Sequence, residues 1–204
     1  MAEGARVIGI VGGTGDFGQG LAERLRRAGE EVVLGSRTPR DEFVSNAEAI
    51  QQSDIVFLSV PPDGVEFTCR NLADELAGRI VVSVASPVVF VGGRPAAQPG
   101  EISLAEAAQQ AAPRCRVVAG FHTVSAKALA RVDDPLDEDV ILCSDDGAAK
   151  EEIAALAEKV VEGRAVDAGP LMVARWLEPV TAVILNVNRN YRTQSGVRIT
   201  GIQT

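Results

Sequence analysis

Short apolar runs recur along the chain at residues 7–11, 32–34, 55–60, 80–84, 117–121, 140–143 and 164–167. Most are rich in Val and Ile and bounded by Gly, Ser, Asp or Pro, the pattern of strands buried on both faces. Segments of helical periodicity separate several of them. The first spans 17–28 and stops at Gly29. Ser45-x-x-Glu48 and Ser103-x-x-Glu106 are capping boxes, which predict short helices over 45–52 and 103–111. Another helix is predicted over 147–161, with Asp145 and Asp146 beside its positive end. Pro170 then opens a long apolar helix over 171–189. Gly92-Gly93-Arg94-Pro95 through Pro99-Gly100 reads as a mobile loop.

Strands alternating with helices predict an α/β fold. The expected form is a Rossmann-type doubly wound, mostly parallel sheet, with a small C-terminal α/β extension ending in a long helix. Residues 1–122 would form a nucleotide-binding domain, and 123–204 a substrate and dimerisation region packed on the same sheet. The stretch 38–54 between the second and third runs has room for one short helix. Ligands bind such sheets at the carboxyl ends of the strands, where the loops 13–17, 35–40, 60–64, 85–100 and 121–126 should converge.

The first run leads into Gly12-Gly13-Thr14-Gly15-Asp16-Phe17-Gly18. Gly13-x-Gly15-x-x-Gly18 between a strand and a helix has dinucleotide-binding spacing. Gly13 is expected to make the tight turn, Gly15 to admit a pyrophosphate, and Gly18 to let helix and strand pack closely. The free N–H groups and dipole at the helix start favour phosphate. The second run ends in Gly35-Ser36-Arg37, with Arg40 soon after. A carboxylate at this point would accept from the ribose hydroxyls of NAD. A hydroxyl and a guanidinium suit a 2′-phosphate, so the residues point to NADP(H).

Apolar residues make up 46% of the chain and aromatic residues only 4%, the texture of a parallel sheet with small residues at its helix contacts. A net charge of −8 argues against nucleic acid, yet leaves Arg free to cluster around an anion. The chain shows no charged-then-apolar leader and no apolar run near membrane-spanning length, so a cytoplasmic protein away from membranes is expected. Cys69, Cys115 and Cys143 are widely spaced and sit in or beside apolar runs, as buried free thiols do. With a single His and no Cys pair, no metal site is expected.

A short-chain dehydrogenase would need a Tyr with a Lys four residues on. The only Tyr is Tyr191, and position 195 is Ser, which excludes that class. Catalytic side chains are scarce, so a cofactor must carry the chemistry. His122, at the end of a predicted strand, reads either as a hydrogen-bonded structural group or as a donor to a bound ring. Thr181 reads either as a hydroxyl bonded to the preceding helical turn or as a site residue. Trp176 is expected in the core or at a dimer interface.

Further segments stand in order along the chain: Phe121-His-Thr-Val-Ser-Ala126, Cys143-Ser-Asp-Asp146, Val166-Asp-Ala-Gly-Pro-Leu171 and Leu177-Glu-Pro-Val-Thr-Ala-Val-Ile-Leu-Asn186. With the glycine turn and Gly35-Ser-Arg37, they make the chain resemble the NADPH-dependent reductases of coenzyme F420, the F420H2:NADP oxidoreductases, over nearly its whole length. The resemblance implies hydride transfer between C4 of the nicotinamide and C5 of a 5-deazaflavin, with both rings stacked at near-attack distance. It also implies that Thr14, Gly15, Asp16 and Phe17 hold the pyrophosphate, and Ser36 and Arg37 the 2′-phosphate. Ser59, Val60 and Pro61 would border the nicotinamide. His122, Val124, Ala126 and Thr181 would lie where the rings meet. Members of this family are typically homodimers. The alternatives are an NADPH-dependent reductase of a flavin, an imine or ferric iron, and a non-catalytic NADP-binding sensor.

Overall fold

The computed structural model describes residues 6–202. Its centre is a six-stranded sheet of β1 (Val7–Val11), β2 (Glu31–Ser36), β3 (Phe43–Ser45), β4 (Ile55–Leu58), β5 (Ile80–Ser83) and β8 (Arg116–Ala119). The spatial order is β3-β2-β1-β4-β5-β8, and every pairing is parallel. This is the Rossmann arrangement, with its switch point between β1 and β4. The 38–54 connection holds more than the single helix expected. It supplies the edge strand β3 and then α2 (Asn46–Gln51), which begins in the predicted Ser45/Glu48 capping box.

Alternation along the strands divides the core between two faces. Ile55 and Phe57 of β4 pack with Leu21 and Leu25 of α1 (Asp16–Arg27) and with Ile153 of α6 (Gly147–Ala157). Val56 and Leu58 pack on the opposite face with Cys69 of α3 (Val65–Asn71) and Ala108 of α4 (Leu104–Ala111). Among the larger side chains sit the small helix residues expected from composition: Ala22 of α1 and Ala149 of α6 on the first face, Ala105 and Ala108 of α4 on the second. All three cysteines are buried free thiols, and burial raises Cys69 to about 12 and Cys115 and Cys143 to about 11.

The C-terminal region adds a parallel pair, β9 (Val140–Leu142) and β10 (Ala165–Asp167). It meets the edge of the main sheet through an antiparallel bridge, in which Ala119 and Cys143 exchange hydrogen bonds of 2.8 and 3.0 Å. Asp146 caps α6 by accepting from the Ala149 amide at 2.8 Å.

Two further sequence expectations change. The 171–189 segment is not one helix. A 3-10 turn (Leu171–Val173) leads into α7 (Ala174–Leu177), and α8 (Val180–Tyr191) follows after Glu178-Pro179. Pro179 has no N–H to continue the ladder. Glu178 turns inward and accepts from the Leu104 and Ala105 amides, both at 2.9 Å, at the start of α4. The expected mobile loop around Gly92 is instead a hairpin of β6 (Val88–Val91) and β7 (Arg94–Ala97). Gly92 and Gly93 have φ of 56° and 71°, which a tight hairpin turn requires at both central positions.

Candidate active site

The glycine turn closes on the switch point. Gly12, with φ 75°, makes the sharp bend, a role the spacing rule assigned to Gly13. A Cβ on Gly12 would stand 2.4 Å from the Ser59 carbonyl oxygen. Gly13 instead packs against β2, its amide donating to the Gly35 carbonyl at 2.9 Å. A Cβ on Gly18 would meet the Gly13 Cα at 2.9 Å, in keeping with the close helix–strand packing expected there. Gly15 has nothing within 4 Å of such a Cβ, and no side chain caps the start of α1. The open space and uncapped helix start together form an anion cradle. Thr14 borders it, exposed, its carbonyl accepting from the Gln19 side chain at 2.8 Å.

At the end of β2, the buried Ser36 hydroxyl donates to the Thr38 carbonyl and accepts from the Thr38 amide, each at 3.1 Å. It holds the turn that carries Arg37 outward. Arg37 and Arg40 are exposed, and neither guanidinium has a partner among the described residues. The α2 helix also reaches this region, since Asn46 Oδ1 accepts from the Gly12 amide at 3.3 Å.

Beside the cradle lies a cleft of about 950 Å³, near the top of the range for small-molecule sites. Of the sequence-predicted residues it brings together Asp16, Phe17, Ser59, Val60, His122, Val124, Ala126 and Thr181. Gly13, Thr14, Gly15, Gly18, Ser36, Arg37, Arg40 and Pro61 do not line it. Pro61 is exposed and starts a 3-10 turn.

The floor of the cleft follows β8. Phe121 has φ 65°, unusual for a bulky residue, and packs edge-on against Phe57 with ring centroids 5.5 Å apart. The Val124 amide donates to the Phe121 carbonyl at 3.1 Å, closing a turn around His122 and Thr123. His122 is buried, and neither ring nitrogen has a protein partner. Burial pulls its pKa down to about 4, so the ring is uncharged at neutral pH, with one N–H donor and one acceptor. The buried Thr123 hydroxyl is also unpartnered. Buried polar groups are rarely left this way unless a ligand or water serves them.

Thr181 does not bond back to its own helix. Its hydroxyl donates to the His122 carbonyl at 2.7 Å and lies 2.7 Å from the Ser86 hydroxyl. The sequence reading missed Ser86, the hairpin wall at Phe90 and Pro95, and the cations Lys127, Arg189 and Arg192, all of which line the cleft. The apolar run 88–91 ahead of Gly-Gly was a hairpin signal available in the sequence. The β6–β7 hairpin is tied to α8 by Asn186 donating to the Pro95 carbonyl at 2.7 Å and by Arg189 donating to the Gly93 carbonyl. Lys127 and Arg192 have no partner among the described residues, so this acidic chain is locally positive here. Beyond α8, Gln194 accepts from Ser125 Oγ at 2.7 Å, and the tail continues to β9, where Asp139 accepts from the Ile199 amide at 2.8 Å. Trp176 is 63% exposed rather than part of the core. Among the described residues there is no cluster able to hold a metal ion and no helix long and apolar enough to cross a membrane.

The parallel sheet, the open glycine turn at its switch point and the adjoining cleft define a Rossmann-type dinucleotide-binding protein. Residues 7–87 match the family model described as NADP oxidoreductase, coenzyme F420-dependent. The F420-dependent NADP reductase of Methanothermobacter thermautotrophicus is 34% identical over 220 residues, covering 96% of this chain and 95% of that protein. Its counterpart in Methanocaldococcus jannaschii is 31% identical, with 96% and 99% coverage. The chain therefore belongs to the family of coenzyme F420-dependent NADP oxidoreductases. Metalloreductase STEAP3 of Rattus norvegicus is 31% identical over 87% of this chain, which spans only 37% of that protein. A solved structure from Arthrobacter sp. FB24, provisionally assigned as an F420-dependent NADP reductase, shares the fold with a TM-score of 0.84 at 24% identity. It covers 97% of this chain and all of that one.

Proposed function

We propose that this chain transfers hydride between NADP(H) and the deazaflavin coenzyme F420, in the cytoplasm and as a homodimer. The carrying observation is the meeting of the dinucleotide turn with a large cleft whose floor includes His122, a buried ring with no protein partner. When bound, the nicotinamide and the deazaflavin supply the hydride chemistry between them.

The residues contribute placement and charge. The amides at the start of α1, with Thr14, Gly15, Asp16 and Phe17, take the pyrophosphate. Ser36 shapes the turn, and Arg37, backed by Arg40, reads the 2′-phosphate. Ser59 and Val60 border the nicotinamide, while Val124, Ala126 and Thr181 flank the rings. His122 donates from its uncharged ring to a ligand oxygen or nitrogen on which negative charge grows during transfer. A fixed donor in a water-poor site is effective at this because it needs no reorganisation. Lys127 and Arg192 favour an anionic second substrate.

The homodimer reading is supported by the outer face of α8. Val183, Val187 and Tyr191, spaced four apart, are 61%, 37% and 77% exposed. Such a stripe on a helix surface suits a subunit contact.

The test mixes the protein with NADPH and oxidised F420 and follows loss of the deazaflavin's visible absorbance, with FMN in parallel. Turnover of F420 is expected. Saturable NADPH binding without F420 turnover would reject the proposal. Turnover of FMN alone would favour a flavin reductase.

A further inference from the structure

The hydroxyl pair in the cleft has a direction. Thr181 carries one hydroxyl hydrogen, and it points at the His122 carbonyl, which can only accept. The Ser86 hydrogen must therefore be the one shared between the two hydroxyls, donated to Thr181 Oγ1 at 2.7 Å. Ser86 Oγ makes no other hydrogen bond, borders the cleft and is half-buried. It meets a ligand with lone pairs only. His122 and Thr123 line the same cleft, and the buried His122 ring and Thr123 hydroxyl have no protein partner and carry hydrogens to give. The floor thus asks for a ligand edge in which an N–H stands beside a carbonyl.

We propose that Ser86 is a specificity-determining acceptor that receives an N–H from the amide edge of the ring bound in the cleft, with Thr181 as the positioning residue that fixes its direction. Two ligand edges carry this chemistry: the nicotinamide carboxamide, and the N3–H of a deazaflavin flanked by its carbonyls. The second source rests on the proposed function; the first requires only a nicotinamide dinucleotide. A ring whose nitrogen is alkylated, or whose amide is replaced by a ketone, leaves Ser86 facing an atom that cannot donate. Leaving such a group unpaired in a partly desolvated site costs about 10- to 100-fold in affinity.

The experiment measures equilibrium binding by fluorescence, without turnover, for two matched pairs. One pair is F420 and its N3-methyl derivative. The other is NADPH and its 3-acetylpyridine analogue, which replaces the carboxamide nitrogen with a methyl. Wild-type protein should prefer the N–H member of one pair by about 10- to 100-fold. Ser86→Ala should bring that ratio to within about twofold, and Ser86→Thr, which keeps a hydroxyl, should largely retain it. Thr181→Val should also lower the ratio, because Ser86 is then free to turn its hydrogen toward the ligand. The pair that responds names the edge. Failure of F420 to bind would defeat the proposed function and leave the nicotinamide pair to decide on Ser86. The inference is overturned if wild-type protein discriminates within neither pair, or if Ser86→Ala, folded by its thermal transition, keeps the wild-type ratios.

Discussion

Burial acts on His122 and Glu138 in opposite senses. His122 is held down at about 4, so between pH 4 and 6.5 the unfolded chain binds more protons than the folded one. Its contribution to stability is present above about 6.5 and is lost as pH falls. Glu138 is 5% exposed, its Oε2 has no partner, and burial pushes its pKa up to about 7 despite the attraction of Arg24. Its contribution is full below its unfolded value and is lost as pH rises through about 7. Glu138→Gln should therefore gain on the order of 1–2 kcal/mol over wild type at pH 8 and almost nothing at pH 4, measured by urea unfolding. His122→Asn should slow single-turnover hydride transfer about 10- to 1,000-fold while changing NADPH affinity little. An unchanged single-turnover rate would leave the ring a purely structural role. The wild-type rate should show no ionisation step near pH 6.5, since the ring is already uncharged there. Arg37→Ala should weaken NADPH by about 10- to 100-fold and NADH by much less in paired titrations. Equal losses would mean that Arg37 does not read the 2′-phosphate.

At the scale of elements, the buried strands were legible because they are short Val- and Ile-rich runs with clear boundaries. The short helices over 45–52 and 103–111 were legible because their caps are local chemistry, and both capping boxes form. A long helix does end the chain's C-terminal extension, but its start was placed too early because periodicity alone does not register a proline inside an apolar stretch. Pro179 breaks the ladder, and Glu178 is drawn away to another helix, a partner that no local window reveals. The 92–100 segment was misread because its Gly and Pro content outweighed the apolar run before it. The site itself divided in the same way. The turn residues announce themselves by spacing, whereas Ser86, Lys127 and Arg192 acquire meaning only when the strand ends, the hairpin and α8 meet. The hairpin gives an element-scale prediction. Gly93→Val places a β-branched residue at φ 71°. It should cost about 1–3 kcal/mol locally, loosen the wall held by Arg189, and weaken binding of the second substrate. Hydrogen exchange should show faster exchange in 88–97 with little change in the central strands. Unchanged exchange across 88–97 would mean that the hairpin tolerates the strain.

For the whole molecule, the homodimer reading sets a second subunit against the outer face of α8. Val187→Glu would place a charge between Val183 and Tyr191 on that face. Light scattering should show wild-type protein as a dimer and this variant as a monomer of unchanged circular dichroism. A wild-type monomer would remove the homodimer reading. The parallel sheet also bears on how binding proceeds. Phe121 is pinned by its left-handed backbone and its contact with Phe57 of β4, and the next carbonyl is held by Thr181 from α8. Three distant parts of the chain thus immobilise the peptide that carries His122 before any ligand arrives. The rotational freedom of such a side chain, about 0.5–1.5 kcal/mol for each one immobilised, is lost during folding rather than at binding. Ligand affinity at this floor should then carry a smaller entropic penalty than the same contacts made by a mobile loop.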